Sequence, residues 1–259
     1  MSGQLDGMVT IITGASRGLG KAIAKGYAKE GAKVVVTSRR SSPTGLSGTA
    51  EETASEIRYS GGEALGIACD VTDENQVIAM VQLVMKQYGK IDVLVNNAGV
   101  MVLNELFLDI DPDRWDHLMD VNLKGPYLCC RHVLPVMIKQ KNGSLVNIGS
   151  RMGMVVTEAG GTAYSSSKAG FHMFGFILAQ EMRDYNIAVN ALSPGSLKSE
   201  GSWSSAWGKS TWDNRIEVED VVPSAVFLAM QRPDTMTGEL VARDDFGRTW
   251  GPGLTPGFK

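Results

Sequence analysis

Apolar and polar residues along this chain fall into blocks that switch between two periods. Met8-Val-Thr-Ile-Ile-Thr13 is a short β-branched run ending at Gly14, which predicts a strand. From Gly18 the period lengthens, with Leu19, Ile23 and Tyr27 on one helical face and Gly31 as a C-terminal glycine. Lys33–Ser38 predicts the next strand. Ser41–Gly48, rich in Ser, Pro and Gly, reads as a loop longer than an ordinary βα connection. Thr49 with Glu52 forms a capping-box pattern ahead of a helix over Ala50–Tyr59.

The same alternation continues. Ala64–Cys69 predicts a strand, and Thr72 or Asp73 caps a helix whose buried face is Val77, Met80, Val81, Val84, Met85 and Tyr88. Ile91–Val95 is a fourth strand, running into Asn96-Asn97-Ala98-Gly99. A long helix is expected over about Asp113–Gln140, then a strand at Ser144–Gly149, a helix at about Thr162–Asp184 and a strand at Ile187–Leu192. An irregular stretch after Ser193-Pro194-Gly195 precedes a helix near Asp220–Met230 and a strand near Glu239–Arg243. Strand–helix alternation of this regularity implies parallel βαβ units with right-handed crossovers and helices on both faces. No repeat, low-complexity block or linker interrupts it, so residues 1–259 are expected to form one α/β domain.

Composition narrows the function classes. Lys+Arg number 25 against 28 Asp+Glu, a formal charge of −3, which lacks the surplus of a general nucleic-acid binder. The longest apolar run, Ala225 to Met230, is far short of the roughly 20 residues that span a bilayer. Ser2-Gly3-Gln4 carries no cationic segment, so no signal peptide is expected. Three Cys cannot build a disulfide framework, and three scattered His give no metal-ligand spacing. A reduced, cytoplasmic domain without nucleic-acid or membrane partners and without a bound metal is the expectation. The 30 glycines then become the informative feature.

Gly14, Gly18 and Gly20 stand in Thr13-Gly-Ala-Ser-Arg-Gly-Leu-Gly20, between the first strand and the first helix. Glycines there allow a tight turn and close backbone approach to a pyrophosphate, and the helix N-terminus faces the anion with free N–H groups. The spacing is G-x-x-x-G-x-G, not the general G-x-G-x-x-G. At the end of the second strand, where an NAD site places an acid for the ribose hydroxyl, the chain reads Thr37-Ser38-Arg39-Arg40. Guanidinium matches phosphate geometry, and Arg17 in the turn can reach the same group; solvated surface arginines are the plain alternative. NADP(H) is expected over NAD(H), which remains the other option.

Tyr164 and Lys168 are four residues apart, on one helical face. A free phenol has a pKa near 10, too high for proton exchange at neutral pH, and a neighbouring ammonium favours phenolate. Tyr-x-x-x-Lys alone is common. Here it follows the glycine turn, Asn96-Asn97-Ala98-Gly99, Asn122 and Ser150, and precedes Pro194-Gly195. In that order and spacing, from about residue 5 to 245, the chain resembles the single-domain short-chain dehydrogenase/reductases.

The resemblance implies a Rossmann-like doubly wound parallel sheet of about seven strands, ordered 3-2-1-4-5-6-7. It implies Tyr164 as general acid or base, Lys168 on the nicotinamide ribose and lowering the tyrosine pKa, and Ser150 on the substrate oxygen. Asn122 would hold a water that links Lys168 to solvent. For the cofactor, Gly14, Gly18 and Gly20 are expected at the pyrophosphate with Ser16 and Leu19 in the same turn, and Arg17, Ser38, Arg39 and Arg40 at the 2′-phosphate. Asp70 and Val71 would lie by the adenine, Asn96, Ala98 and Gly99 along ribose and phosphates, and Pro194 and Gly195 by the carboxamide. Ser199 stands where the family usually has Thr.

The implied activity is interconversion of a ketone and a secondary alcohol. An NAD-dependent catabolic dehydrogenase and a non-catalytic dinucleotide sensor are the competing readings. Residues 195–216 would form a substrate lid, where Trp203, Trp207 and Trp212 allow either an aromatic wall over an apolar substrate or plain lid packing. Family reductases that dock acyl carrier protein use Arg on the two long helices; Lys141 and Tyr185 stand at the matching positions, so a carrier-bound substrate is disfavoured. The tail, 246–259, would pack on a neighbouring subunit or lie disordered. Pairing of the long helices implies a homodimer or homotetramer.

Overall fold

The computed structural model of the chain describes residues 3–39, 48–156, 159–203 and 206–254, the side chains of 206 and 207 apart. Seven strands form one parallel sheet: β1 (Val9–Ile12), β2 (Lys33–Ser38), β3 (Glu63–Ala68), β4 (Val93–Asn96), β5 (Gly143–Ile148), β6 (Ile187–Ser193) and, last, Leu240–Ala242. Their order is 3-2-1-4-5-6 followed by the Leu240–Ala242 strand. Every pairing is parallel, with Ile12 opposite Val36 and Val95 opposite Val146. The expected sheet order holds. A two-stranded parallel pair, β7 (Leu197–Lys198) with β8 (Ile216–Glu217), lies outside that sheet and makes its last strand β9.

β1, β4, β5 and β6 are buried along their whole length, because both faces of the sheet are covered there. Ile12, Val34, Val36, Val93, Val95 and Val146 join one core with α1 (Gly18–Lys29), α2 (Ala50–Tyr59) and α9 (Val222–Ala229). Val9, Ile11, Val35, Leu94 and Leu145 join the other with α3 (Glu74–Tyr88), α5 (Gly125–Gln140) and α6 (Thr162–Met182). Buried Tyr27 of α1 donates its hydroxyl to the Ala225 carbonyl of α9 at 2.8 Å, which fixes the two helices on their face.

Local signals act where the sequence puts them. Thr49 and Glu52 form the reciprocal capping box on α2, and Asp73, not Thr72, caps α3. The expected helix over Asp113–Gln140 is instead three consecutive pieces: α4 (Pro112–Met119), a π turn over Asp120–Lys124, and α5. π turns insert one residue per turn and occur mostly at functional sites; this one carries Asn122. Near Asp220–Met230 the helix begins as a 3-10 turn, Val218–Val221.

The tail's Trp250 is buried within its own chain. Its ring stacks edge-on against Phe246 and Phe227 at 4.8 and 6.0 Å between centroids, and its Nε1 donates to Ala242 O at 2.7 Å. Trp250 therefore packs within its own chain. Pro256 and Phe258 lie outside the described residues. Among the described residues, no helix is long and apolar enough to cross a membrane.

Candidate active site

The carboxyl ends of β1, β2, β3 and β4 open on a groove of about 240 Å³. Parallel sheets bind ligands at this edge, where the strand order reverses on either side of β1. Gly14, Ser16, Arg17, Gly18, Leu19 and Gly20 line one wall. Ser38, Arg39, Asp70 and Val71 line the end beyond β2 and β3. Ala98, Gly99 and Ser199 complete it on the β4 and lid sides. Arg40 lies outside the described residues.

Gly14 tests whether the groove fits a dinucleotide. Its φ is +64°, and a Cβ built there would stand 2.8 Å from Ala98 Cα. Only glycine holds this left-handed turn at that approach. The first turn of α1 carries no acidic residue and its N-cap, Arg17, makes no side-chain cap. Backbone dipoles therefore face the groove without an opposing charge from that turn, as an anion at a helix N-terminus requires. The residues present fit a pyrophosphate.

Asn96 is placed differently from the sequence expectation. It is 2% exposed, inside the sheet, and donates its amide to Asn147 Oδ1 at 2.9 Å. Its neighbour Asn97 lines the groove. The Asn97 amide donates to the carbonyls of Thr13 and Gly14, and Thr13 Oγ1 accepts from the N–H of Asn97 and of Ala98. Asn97 thus ties the glycine turn to the end of β4. Sequence reasoning missed it although it stands in the same four-residue motif. Glu200 was also missed: its carboxylate lies 3.6 Å from the position of a Cβ on Gly18.

Beyond Gly99 the groove meets α6. A Cβ on Gly99 would lie 3.4 Å from Asn122 Oδ1 and 3.9 Å from Lys168 Nζ, so these groups close on one point. Asn122 uses its side chain on protein. Its Oδ1 accepts from Val100 N at 2.8 Å, and its amide donates to Val100 O and Ser167 Oγ. Ser167 Oγ in turn donates to Tyr164 O at 2.8 Å. The π turn is therefore braced directly onto the helix that carries Tyr164.

Tyr164 is 9% exposed and packs with Val102, Leu118 and Ala163. Burial raises its phenol above the ordinary value, and a hydrogen bond with the Ser150 side chain pulls it back. Lys168 Nζ stands 5.8 Å from the phenol ring centroid and donates to Ile148 O at 2.9 Å. Lys168 is itself buried, and desolvation of its ammonium brings it down to about 8. Ser150 Oγ also accepts from Met152 N at 3.2 Å. Pro194 and Gly195 follow β6, the strand paired with β5, and Gly195 has φ +84°.

The segment after β6 is pinned by Arg215, which donates to Leu197 O at 3.2 Å, Ser202 Oγ at 3.3 Å and Thr211 Oγ1 at 3.0 Å. Its short helices are α7 (Glu200–Trp203) and α8 (Ala206–Ser210). Trp203 pairs with Trp212 edge-on at 4.8 Å. That pair lines a second cavity with Lys21, Ala22 and Lys25 of α1, apart from Tyr164. The Trp207 side chain lies outside the described residues.

Comparison with known proteins agrees with this geometry. The family described as short chain dehydrogenase matches residues 8–208. Human hydroxysteroid dehydrogenase-like protein 2 is 36% identical over 242 residues, 93% of this chain, which spans only 57% of that relative's length. A 3-oxoacyl-acyl-carrier-protein reductase of Thermotoga maritima is 34% identical over 248 residues, covering 93% of this chain and 98% of that protein. A metagenomic short-chain oxidoreductase solved in complex with NADP is 35% identical, with a TM-score of 0.76 over 92% of this chain and 98% of that one. The chain belongs to the short-chain dehydrogenase/reductase family, whose members bind NAD(P).

Proposed function

We propose that this protein interconverts a ketone and a secondary alcohol using NADP(H). The observation that carries the reading is the Tyr164 hydroxyl, hydrogen-bonded with Ser150 one helical turn from buried Lys168. Gly14, Ser16, Arg17, Gly18, Leu19 and Gly20 hold the pyrophosphate; Asp70 and Val71 take the adenine; Ala98, Gly99, Pro194, Gly195 and Ser199 take the remainder. Bound nicotinamide supplies or accepts the hydride. Ser38 and Arg39, without a carboxylate at the end of β2, support a 2′-phosphate and hence NADP(H) over NAD(H).

Tyr164 hands its phenolic proton to the substrate oxygen in reduction, or takes it from the alcohol in oxidation. Because burial raises the phenol, it stays protonated at neutral pH, the form that serves reduction. Ser150 orients the substrate oxygen. Lys168 holds the ribose and restores the proton, with Asn122 bracing the path between them.

The substrate is apolar. Segments 101–108 and 151–156 meet Tyr164 through Val102 and Met152, and they expose Leu106, Phe107, Leu108, Met154 and Val156 to solvent. Segment 195–216 acts as the lid. The chain assembles as a homodimer or homotetramer through α5 and α6, whose Tyr127, Met173 and Ile177 are exposed; light scattering checks it. A panel of aliphatic, cyclic and aryl ketones, followed by NADPH absorbance, tests the activity. Tyr164→Phe is expected to abolish turnover with NADPH affinity nearly unchanged; persisting turnover overturns the mechanism.

A further inference from the structure

Tyr164 and Lys168 are the first two members of a three-member series on α6. One turn further along the same face stands His172, 1% exposed. All three grip the end of β5 and the residues after it. Lys168 donates to Ile148 O at 2.9 Å, and Tyr164 bonds the Ser150 hydroxyl. His172 Nε2 accepts from the backbone N–H of Ser150 at 3.2 Å.

The imidazole is fitted to this place. A Cβ on Gly149 would stand 2.5 Å from His172 Nε2, so the ring fills space that only glycine leaves open beside Ser150. An Nε2 that accepts from an N–H fixes the tautomer, with the ring proton on Nδ1. Buried Nδ1 has no partner among the described residues. A buried donor left unpaired is unfavourable, so a histidine here opposes stability on one nitrogen while satisfying Ser150 on the other. Phe or Leu would fill the volume without that penalty. What the imidazole adds is the acceptor.

We propose that His172 is a positioning residue of the catalytic set, fixing the main chain of Ser150 and thereby holding the Ser150 hydroxyl against Tyr164. The inference rests on reading Ser150, Tyr164 and Lys168 as that set. Ser150 is then held at two points besides Tyr164: its N–H by His172 and its Oγ by Met152 N–H.

The test follows the Tyr164 phenol directly. In protein labelled with 13Cζ-tyrosine, the Tyr164 signal is assigned by its loss in Tyr164→Phe, and its pKa is read by NMR titration without substrate or cofactor. His172→Met keeps the volume and removes the acceptor; His172→Gln places Oε1 near the former Nε2. The Tyr164 pKa is expected to rise by about 0.5–1 unit in His172→Met, the equivalent of one net hydrogen bond, and to return towards wild type in His172→Gln. With a ketone that the wild type reduces, kcat falls several-fold in His172→Met at unchanged NADPH affinity and recovers in His172→Gln. A merely structural histidine would lower the melting temperature in both variants without this recovery. An unshifted phenol in His172→Met, or equal shifts in Met and Gln, overturns the proposal. If His172→Met does not fold, 15N-histidine spectra of the wild type decide: His172 protonated on Nε2 also overturns it. Turnover surviving in Tyr164→Phe would instead overturn the catalytic reading and leave the phenol titration and the tautomer untouched.

Discussion

Gly14→Ala measures how far the cofactor cradle depends on bare backbone. Two terms are worked from the structure. A φ of +64° is unfavourable for an L-residue by about 1–2 kcal/mol. The added methyl would also stand 2.8 Å from Ala98 Cα, closer than real contacts, and overpacking of this kind destabilises by roughly 1–3 kcal/mol. The expected loss of folding stability is therefore about 2–5 kcal/mol. Gly7→Ala separates the terms, because Gly7 has a similar φ of +69° with nothing within 4 Å of its Cβ position. It carries the strain without the collision, and about 1–2 kcal/mol is expected. Relief of the collision pushes the turn away from β4 against the Asn97 bonds, so NADPH affinity drops at least about tenfold in Gly14→Ala and stays unchanged in Gly7→Ala. Urea denaturation and NADPH fluorescence titration read the two quantities. Wild-type NADPH affinity in Gly14→Ala, or equal stability losses at both positions, would refute the reasoning.

Arg39→Ala is expected to weaken NADPH binding about 10- to 100-fold, the effect of one charge-assisted hydrogen bond, and to leave NADH within about twofold; parallel titrations check it. His172 is buried beside Lys168, and desolvation first, then the ammonium, lowers it to about 4. With the folded value below the unfolded 6.5, the unfolded state binds the proton first, so stability falls as pH drops from 6.5 to about 4 and levels off below. The loss is on the order of 3 kcal/mol, and His172→Met is expected to lack it in urea titrations across that window. Trp250→Ala removes a ring stacked on Phe246 and Phe227 and is expected to destabilise by about 3–5 kcal/mol; a change below about 1 kcal/mol would contradict intrachain packing of the tail.

The parts of the fold set by local chemistry are the parts a sequence displays. Strands buried on both faces are mostly apolar, so β1 and β2 stand out as β-branched runs. The α3 stripe repeats at helical period because one face packs on the sheet, and the Thr49–Glu52 cap is complete within four residues. The glycine turn is also local, since its conformation excludes other residues at Gly14. That Tyr164 and Lys168 share one helical face follows from their spacing, and the accompanying motifs single the pair out.

Other features depend on segments distant in sequence, and there only the tertiary structure decides. Asn96 and Asn97 are equivalent as letters, yet the first ends β4 facing Asn147 from β5 while the second faces the glycine turn. The π turn at Asp120–Lys124 leaves the apolar pattern almost unchanged, so a long helix and an interrupted one read alike. Trp203 meets Trp212, nine positions along the chain, a pairing that no local period specifies. His172 lay within reach of the pattern that yielded Tyr164 and Lys168, one more step of four residues. Its partner, the Ser150 N–H, lies just beyond β5, so the contact follows only from the packing of α6 against the end of that strand. The sequence by itself determined the parallel sheet and the glycine turn, because short-range sterics and periodic burial specify them, while the proposed catalytic residues were legible through the resemblance of their motifs to one family. Tertiary structure decided which neighbouring side chains reach the site, because a hydrogen bond between distant segments leaves no periodic trace in either.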